Sequence, residues 1–178
     1  MTLERFLAEL GSKKGAPGGG AAAALVGASG AALVEMVARL NDVRMRRSSG
    51  NALRAARIRR SLQRSIAEDV RVFHKIQKLY RVRKARPAAW QRALKNGAAV
   101  PLGMAERCTA AAALASAEKA RTSAWLESDR REALILLRAA YDSARLNVEI
   151  NLKEIRDRAY NDRSKRKLEE WRRKLPRS

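Results

Sequence analysis

Aromatic residues, cysteine and histidine are all scarce in this 178-residue chain. Phe, Trp and Tyr together make up 4% of it, and Cys108 and His74 stand alone in their types. One cysteine excludes an intrachain disulfide, and so few cysteine and histidine ligands argue against a zinc site. The alternation of β-branched and aromatic residues that marks strands is also absent, whereas the abundant Ala, Leu, Arg, Glu and Lys favour helices. The composition predicts an all-α protein.

Acidic residues are in short supply too. Asp and Glu number 18 against 39 Lys and Arg, which leaves a net charge of +21. Such an excess predicts attraction to a polyanion, whether nucleic acid, an anionic membrane surface or a polyanionic small molecule. No basic start leads into an apolar signal core, so we expect a cytoplasmic protein. The uncharged stretch 18–34 is mostly Ala and Gly, and we expect a buried bundle helix there rather than a membrane span.

Helical periodicity and capping residues divide the chain into about five or six helices of one domain, residues 1–160, followed by a basic helix or tail over 161–178. Thr2 caps a first helix that ends at Leu10, and small residues that allow close packing mark a second helix, from Gly20 to about Leu40. The pattern further predicts a long helix over 52–84, a short one from Pro87 to Asn96-Gly97, another opened by Pro101, and a last long one that Asp129 or Ser128 caps.

Asp69 lies in a stripe that is otherwise apolar. Leu62, Ile66, Asp69, Phe73, Ile76 and Tyr80 follow one another in steps of three or four, which places them on one helix face that we expect to be buried. An ionised carboxylate in such a place must be paired, neutralised or used. Asp69 is therefore a candidate acid or base, with a structural partnership to an arginine as the equally weighted alternative.

Two other groups of residues could contact a ligand. The run Pro17-Gly18-Gly19-Gly20 enters a helix, where free backbone N–H groups can hold an anion, although the run also fits a flexible turn. Asn147 and Asn151 lie one helical turn apart, and their carboxamides could orient a polar ligand or bond to another helix.

Six segments, in order, resemble the cyclodeaminase/cyclohydrolase family, which comprises bacterial methenyltetrahydrofolate cyclohydrolases and the cyclodeaminase half of formiminotransferase-cyclodeaminase. The resemblance covers roughly residues 3–162. The segments are Phe6-Leu7-Ala8-Glu9-Leu10, the Pro-Gly-Gly-Gly run with the Ala-rich helix after it, the Asp-x-x-x-Phe element of Asp69 and Phe73, Val100-Pro101-Leu102, Ser128-Asp129, and Asn147 to Leu152 with Asp157 beyond.

The resemblance implies a dimeric all-α bundle that binds a folate in a cleft near the glycine loop. It assigns the catalytic acid/base role to Asp69, and folate binding to Pro17, Gly18, Gly19, Gly20, Lys84, Asp129, Asn147 and Asn151. The implied activity is hydrolysis of 5,10-methenyltetrahydrofolate to 10-formyltetrahydrofolate, or cyclodeamination of 5-formiminotetrahydrofolate. Neither reaction requires a metal or redox cofactor, and the positive charge could attract a polyglutamylated folate tail.

A second hypothesis comes from the charge and from altered loops. Residues 41–47 are Asn-Asp-Val-Arg-Met-Arg-Arg, where the family usually has a Gly-Lys-Lys-Tyr-like stretch. A diverged, non-catalytic relative whose basic faces bind nucleic acid or an acidic protein would show both features. Because residues suited to the chemistry are still present, we prefer the enzyme.

Overall fold

Six α-helices and two short 3-10 turns account for the secondary structure of residues 2–176, the part of the chain that this computed structural model describes. No strand occurs in that range, which confirms the all-helical prediction. The helices are α1 (Leu3–Leu10), α2 (Gly19–Met45), α3 (Asn51–Tyr80), α4 (Pro87–Ala117), α5 (Glu127–Leu152) and α6 (Arg158–Lys174).

Helix α2 runs through the middle of the bundle and packs against α3, α4 and α5. A Cβ on Gly30 would lie 2.8 Å from Leu137 Cγ of α5, and one on Gly27 would lie 3.0 Å from Cys108 Sγ of α4. The small residues therefore permit the close packing that the sequence predicts. By length and mean hydropathy (1.7) α2 could cross a membrane, but 56% of its most apolar window is buried inside the bundle.

Helix α4 corrects one prediction. The sequence predicts a helix that ends at Asn96-Gly97 and another that Pro101 opens, but α4 continues unbroken through both, with Pro101 in its interior. The glycine serves close packing instead of termination, since a Cβ on Gly97 would lie 2.7 Å from Ile76 Cδ1 and 2.8 Å from Asn151 Oδ1. Tertiary packing on α3 and α5 outweighs the local preference of these residues to end a helix.

The start of α5 corrects a second prediction, that Asp129 or Ser128 caps this helix. Leu126 occupies the N-cap position, because the 3-10 turn Ala124–Leu126 runs directly into the helix. Neither Ser128 nor Asp129 is the cap, and Asp129 lies inside the first turn, where a negative charge still favours the helix. Thr2, in contrast, is confirmed as the cap of α1, where its Oγ1 accepts a hydrogen bond from the Arg5 N–H at 3.3 Å.

A buried polar cluster joins the C-terminal ends of α2 and α4 to the start of α3. Glu118 is fully buried, and its carboxylate accepts hydrogen bonds from Asn41 Nδ2 and Asn51 Nδ2, both at 2.8 Å, and from Ser49 Oγ at 3.0 Å. Arg121 adds an ion pair at 3.1 Å. Burial alone would raise the pKa of Glu118, but these donors outweigh it and hold the pKa below 4.5.

Helix α6 belongs to the same core as the rest of the bundle. Its Leu168 and the following Leu175 are buried, and the Tyr141 hydroxyl of α5 donates a hydrogen bond to the Leu168 carbonyl. The boundary that the sequence predicts between residues 160 and 161 falls inside this helix.

Candidate active site

A cavity of about 280 Å³ lies where the glycine loop meets α3, α4 and α5. Its volume is slightly below the roughly 300–1,000 Å³ of pockets that enclose a drug-sized ligand, so it fits part of such a ligand. Its walls come from the loop and the start of α2 and from one face each of α3, α4 and α5: Gly15, Ala16, Gly18, Gly19, Gly20, Asp69, Val72, Phe73, Ile76, Gly97, Val100, Asn147, Ile150 and Asn151.

Asp69 lies at the boundary between this cavity and the start of α2. Its carboxylate faces the first turn of that helix, where the backbone N–H of Ala21 acts to lower its pKa. Burial raises the pKa of Asp69 above 3.8, and the Ala21 N–H opposes this increase only in part. None of the ion pairs formed within residues 2–176 includes Asp69. The alternative of a structural arginine partner is therefore wrong.

Gly20, in the first turn of α2, must lack a side chain for the Asp69 carboxylate to lie where it does. A Cβ on Gly20 would lie 2.2 Å from Asp69 Oδ1 and 2.6 Å from its Cγ. No heavy atom lies within 4 Å of the corresponding position on Gly19. The first hydrogen bond of α2 runs from the Ala22 N–H to the Gly18 carbonyl, so the N–H groups of Gly19 and Gly20 have no helical acceptor. They can bind a ligand at the positive end of the helix.

Two carboxamides of α5 line the wall opposite the loop. Asn147 Nδ2 donates to the Ser143 carbonyl at 2.9 Å, and Asn151 Nδ2 donates to the Asn147 carbonyl at 2.8 Å. Each amide is thus fixed on its own helix, which leaves the side-chain oxygen to accept hydrogen bonds. Gly97 of α4 also lines the cavity and lies against Asn151, and its carbonyl lacks the usual helical partner because Pro101 has no N–H.

Six of the predicted site residues therefore line one cavity, and three do not. The six are Asp69, Gly18, Gly19, Gly20, Asn147 and Asn151. Pro17 is buried in the loop beside the cavity, and Lys84 lines a second cavity. Asp129 lies near the other end of α5, about 27 Å from Asn147 along the helix.

The stripe that contains Asp69 is buried only in part. Leu62 is fully buried, but Phe73 is 38% exposed and Tyr80 is 50% exposed. The face that we expected to be in the core instead opens into the cavity after Asp69, where Phe73 and Ile76 form an apolar wall. Sequence reasoning missed Gly97 and Val100 as wall residues, because it treated the first as a helix end.

The second cavity, of about 570 Å³, lies just past the C-terminal ends of α3 and α5 and against the start of α4, and its Glu154 follows Asn151 of the first cavity by three residues. It is strongly basic, with Arg83, Lys84 and Arg156 against one acidic side chain, Glu154. The Arg83 guanidinium lies over the Tyr80 ring, 3.8 Å from its centroid. An anionic group that extends from the first cavity would meet these cations.

Fold and site together define a class: an all-helical protein in which one unpaired carboxylate, held at a glycine-rich helix start, faces a small cavity. The sequence profile of the formiminotransferase-cyclodeaminase family matches residues 2–170. A methenyltetrahydrofolate cyclohydrolase of Methylorubrum extorquens is 35% identical over 94% of this chain and 87% of its own length. The formimidoyltransferase-cyclodeaminase of Sus scrofa is 31% identical, but this chain spans only 33% of it.

A solved structure with a similar fold carries a name from the same family. The crystal structure of a formiminotetrahydrofolate cyclodeaminase from Thermotoga maritima matches with a TM-score of 0.89 and 29% identity, over 98% of this chain and 90% of that one. The chain belongs to the formiminotransferase-cyclodeaminase family.

Proposed function

We propose that this protein hydrolyses 5,10-methenyltetrahydrofolate to 10-formyltetrahydrofolate, with Asp69 as the acid/base. The observation that carries the proposal is the unpaired Asp69 carboxylate, its pKa raised by burial, in a cavity lined by acceptor and donor groups. The Methylorubrum extorquens relative supports hydrolysis, and the porcine and Thermotoga maritima relatives support the alternative, cyclodeamination of 5-formiminotetrahydrofolate.

The chemistry suits a single carboxyl group. The bridging carbon of the methenyl substrate belongs to an amidinium and is already electrophilic. Asp69 takes one proton from a water molecule as the water oxygen bonds to that carbon, and returns it to N5 as the carbon–N5 bond breaks. The remaining hydroxyl proton leaves to solvent, and the carbonyl of the N10-formyl group forms. A pKa raised towards neutrality suits a group that must both accept and donate.

The two cavities support one orientation of the substrate. The first cavity holds the ring system, with its N–H groups directed at the side-chain oxygens of Asn147 and Asn151. The second cavity, with Arg83, Lys84 and Arg156, holds the carboxylates of the glutamate tail. In this arrangement Lys84 keeps its predicted role as a folate contact.

The dimer is a further part of the proposal. Leu3 and Leu7 of α1 are more than half exposed, as are Ile135, Leu146 and Ile150 of α5. A second copy of the chain would cover these apolar side chains, and Ile150 would bring that contact to the edge of the cavity. Sedimentation at micromolar concentration should give twice the mass of one chain; a monomer would contradict this part.

Asp69→Asn tests the central claim, because it keeps the shape of the side chain and removes its ability to take a proton. We expect kcat on 5,10-methenyltetrahydrofolate to fall by at least about 10²-fold, the typical contribution of a general acid/base. Asp142, a carboxylate of α5 outside the cavity, offers a matched control, and Asp142→Asn should leave kcat unchanged. An Asp69→Asn enzyme as fast as wild type would refute the assignment, and activity only on 5-formiminotetrahydrofolate would establish the alternative reaction.

A further inference from the structure

The outer face of α3 carries a row of cations that the proposed reaction does not use. The row has six members. On an ideal helix with 3.6 residues per turn, they fall within an arc of roughly 60°, on the side of α3 opposite the one that bears Asp69. From first to last the row is about 32 Å long. Its members are Arg57, Arg60, Arg64, Arg71, Lys75 and Lys78, and all six are exposed.

These charges are uncompensated. None of the six takes part in the ion pairs formed within residues 2–176, whereas Arg59, on another side of α3, is paired with Glu35 at 2.8 Å. The one carboxylate of α3 that borders the row, Glu68, is exposed and takes part in none of these ion pairs. Helix α6 is basic as well, but it interleaves Asp162, Glu169 and Glu170 with its cations.

We propose that this cationic row of α3 binds the phosphate backbone of double-stranded nucleic acid. Its length is close to one turn of a B-form duplex, about 34 Å, so a rigid duplex can meet several of the cations at once. Each phosphate that a cation neutralises releases condensed counterions, and this release drives binding.

The composition of the row favours a duplex over a single strand and over a membrane surface. Single-strand binders stack bases on aromatic side chains, but the aromatic residues Phe73 and Tyr80 of α3 lie on the opposite side of the helix. Membrane-surface helices insert several large apolar side chains beside their cations, whereas this face has none between Arg57 and Lys78 and only Leu53, one turn before the row, in line with it. What remains is a backbone contact without base recognition.

The row is accessible in the proposed dimer. The exposed apolar residues that a second copy would cover lie on α1 and α5, and helix α3 packs on α2 and α4 through its other sides. Nucleic-acid binding at this surface therefore does not depend on the active site, and the two proposals can fail separately.

Binding of a labelled DNA duplex of roughly 20 base pairs, about two helical turns, tests the inference when anisotropy is followed against salt. Contacts from all six cations predict a slope of log K against log salt near −5, and a loss of affinity on the order of 10³-fold between about 50 and 200 mM salt. The triple variant Arg60→Gln/Arg64→Gln/Arg71→Gln should bring the slope near −3. Glutamine keeps the helix propensity of arginine, and circular dichroism confirms the fold.

The control is a second triple variant, Arg163→Gln/Lys167→Gln/Arg173→Gln, which removes the same charge from exposed positions of α6. It should keep the wild-type slope if the row on α3 is the binding surface. Equal losses in both triples would show that only the net charge attracts DNA, and would overturn the proposal. So would the absence of binding by wild type at low salt, or preferential binding to vesicles of anionic lipid.

Discussion

Gly20→Ala should inactivate the proposed enzyme through a single methyl group. The added Cβ would lie 2.2 Å from Asp69 Oδ1, whereas ordinary contact begins near 3.4 Å, so the carboxylate must retreat by about 1.2 Å. A displacement of this size weakens the interaction of the carboxylate with the Ala21 N–H and moves the proton-transfer group away from the reacting carbon. A misplacement of about 1 Å can cost roughly 10²-fold in rate, which corresponds to about 2.7 kcal/mol of transition-state stabilisation.

The assay is the steady-state hydrolysis of 5,10-methenyltetrahydrofolate, with kcat and KM measured separately. Two other glycines show whether the missing side chain or backbone flexibility matters. Gly103→Ala, in α4 and outside the first cavity, meets only the mobile guanidinium of Arg107 and should leave both constants unchanged. Gly19→Ala meets no atom within 4 Å but projects beside the cavity, so any effect should fall on KM while kcat is kept.

Stability separates displacement of Asp69 from failure to fold. Replacement of a helical glycine by alanine ordinarily stabilises a helix by roughly 0.5–1 kcal/mol, and α2 has helical geometry at Gly20. A folded Gly20→Ala protein with little activity is therefore the expected result. If the variant instead keeps wild-type kcat, the carboxylate does not need its present position, and the reasoning that connects Gly20, Asp69 and the reaction is refuted.

Three further predictions concern Asp69, Asn151 and Glu118. Burial raises the pKa of Asp69, so its charge destabilises the folded state at neutral pH. Asp69→Asn should therefore melt at a higher temperature than wild type near pH 7, but not at a pH below 3.8, the ordinary pKa of the group. Melting curves measured across this pH range check the prediction. Asn151→Leu removes one hydrogen bond to the substrate and should raise KM about tenfold with little change in kcat. Unchanged constants in steady-state kinetics would exclude that contact. Glu118→Gln should cost about 2 kcal/mol in urea denaturation. The folded-state pKa of Glu118 is lowered, so the wild-type advantage is complete above pH 4.5 and disappears as the pH falls through that lower pKa.

Local sequence patterns predicted most of the helices and the central site residue. The spacing of apolar and small residues located α1, α2 and α3, with some ends displaced by a few residues, because local helix preference agrees with burial in α2 and in the first half of α3. It also placed Asp69 on the face that meets the rest of the bundle. The same reasoning failed at Gly97 and Pro101, where both residues favour a helix end locally but a tight contact with Ile76 and Asn151 decides the outcome. A single sequence carries no information about such a contact.

Long-range arrangement limited the prediction of the site. That Gly20, Asp69 and Asn147 line the same cavity depends on how α2, α3 and α5 cross, which no local spacing determines. Lys84 and Asp129 entered the candidate set through resemblance alone, and the structure places them in a neighbouring cavity and near the far end of α5. Spacing along one helix also cannot show where a cavity opens, so the half of the stripe beyond Asp69 was wrongly expected to be buried.

The interaction between Asp69 and the Ala21 N–H has a consequence for the start of α2. A neutral carboxyl group is a weaker acceptor than a carboxylate, and so uptake of a proton loosens the tie between α3 and the first turn of α2. The first turn of α2 is thus held more firmly while Asp69 is ionised than when it is neutral.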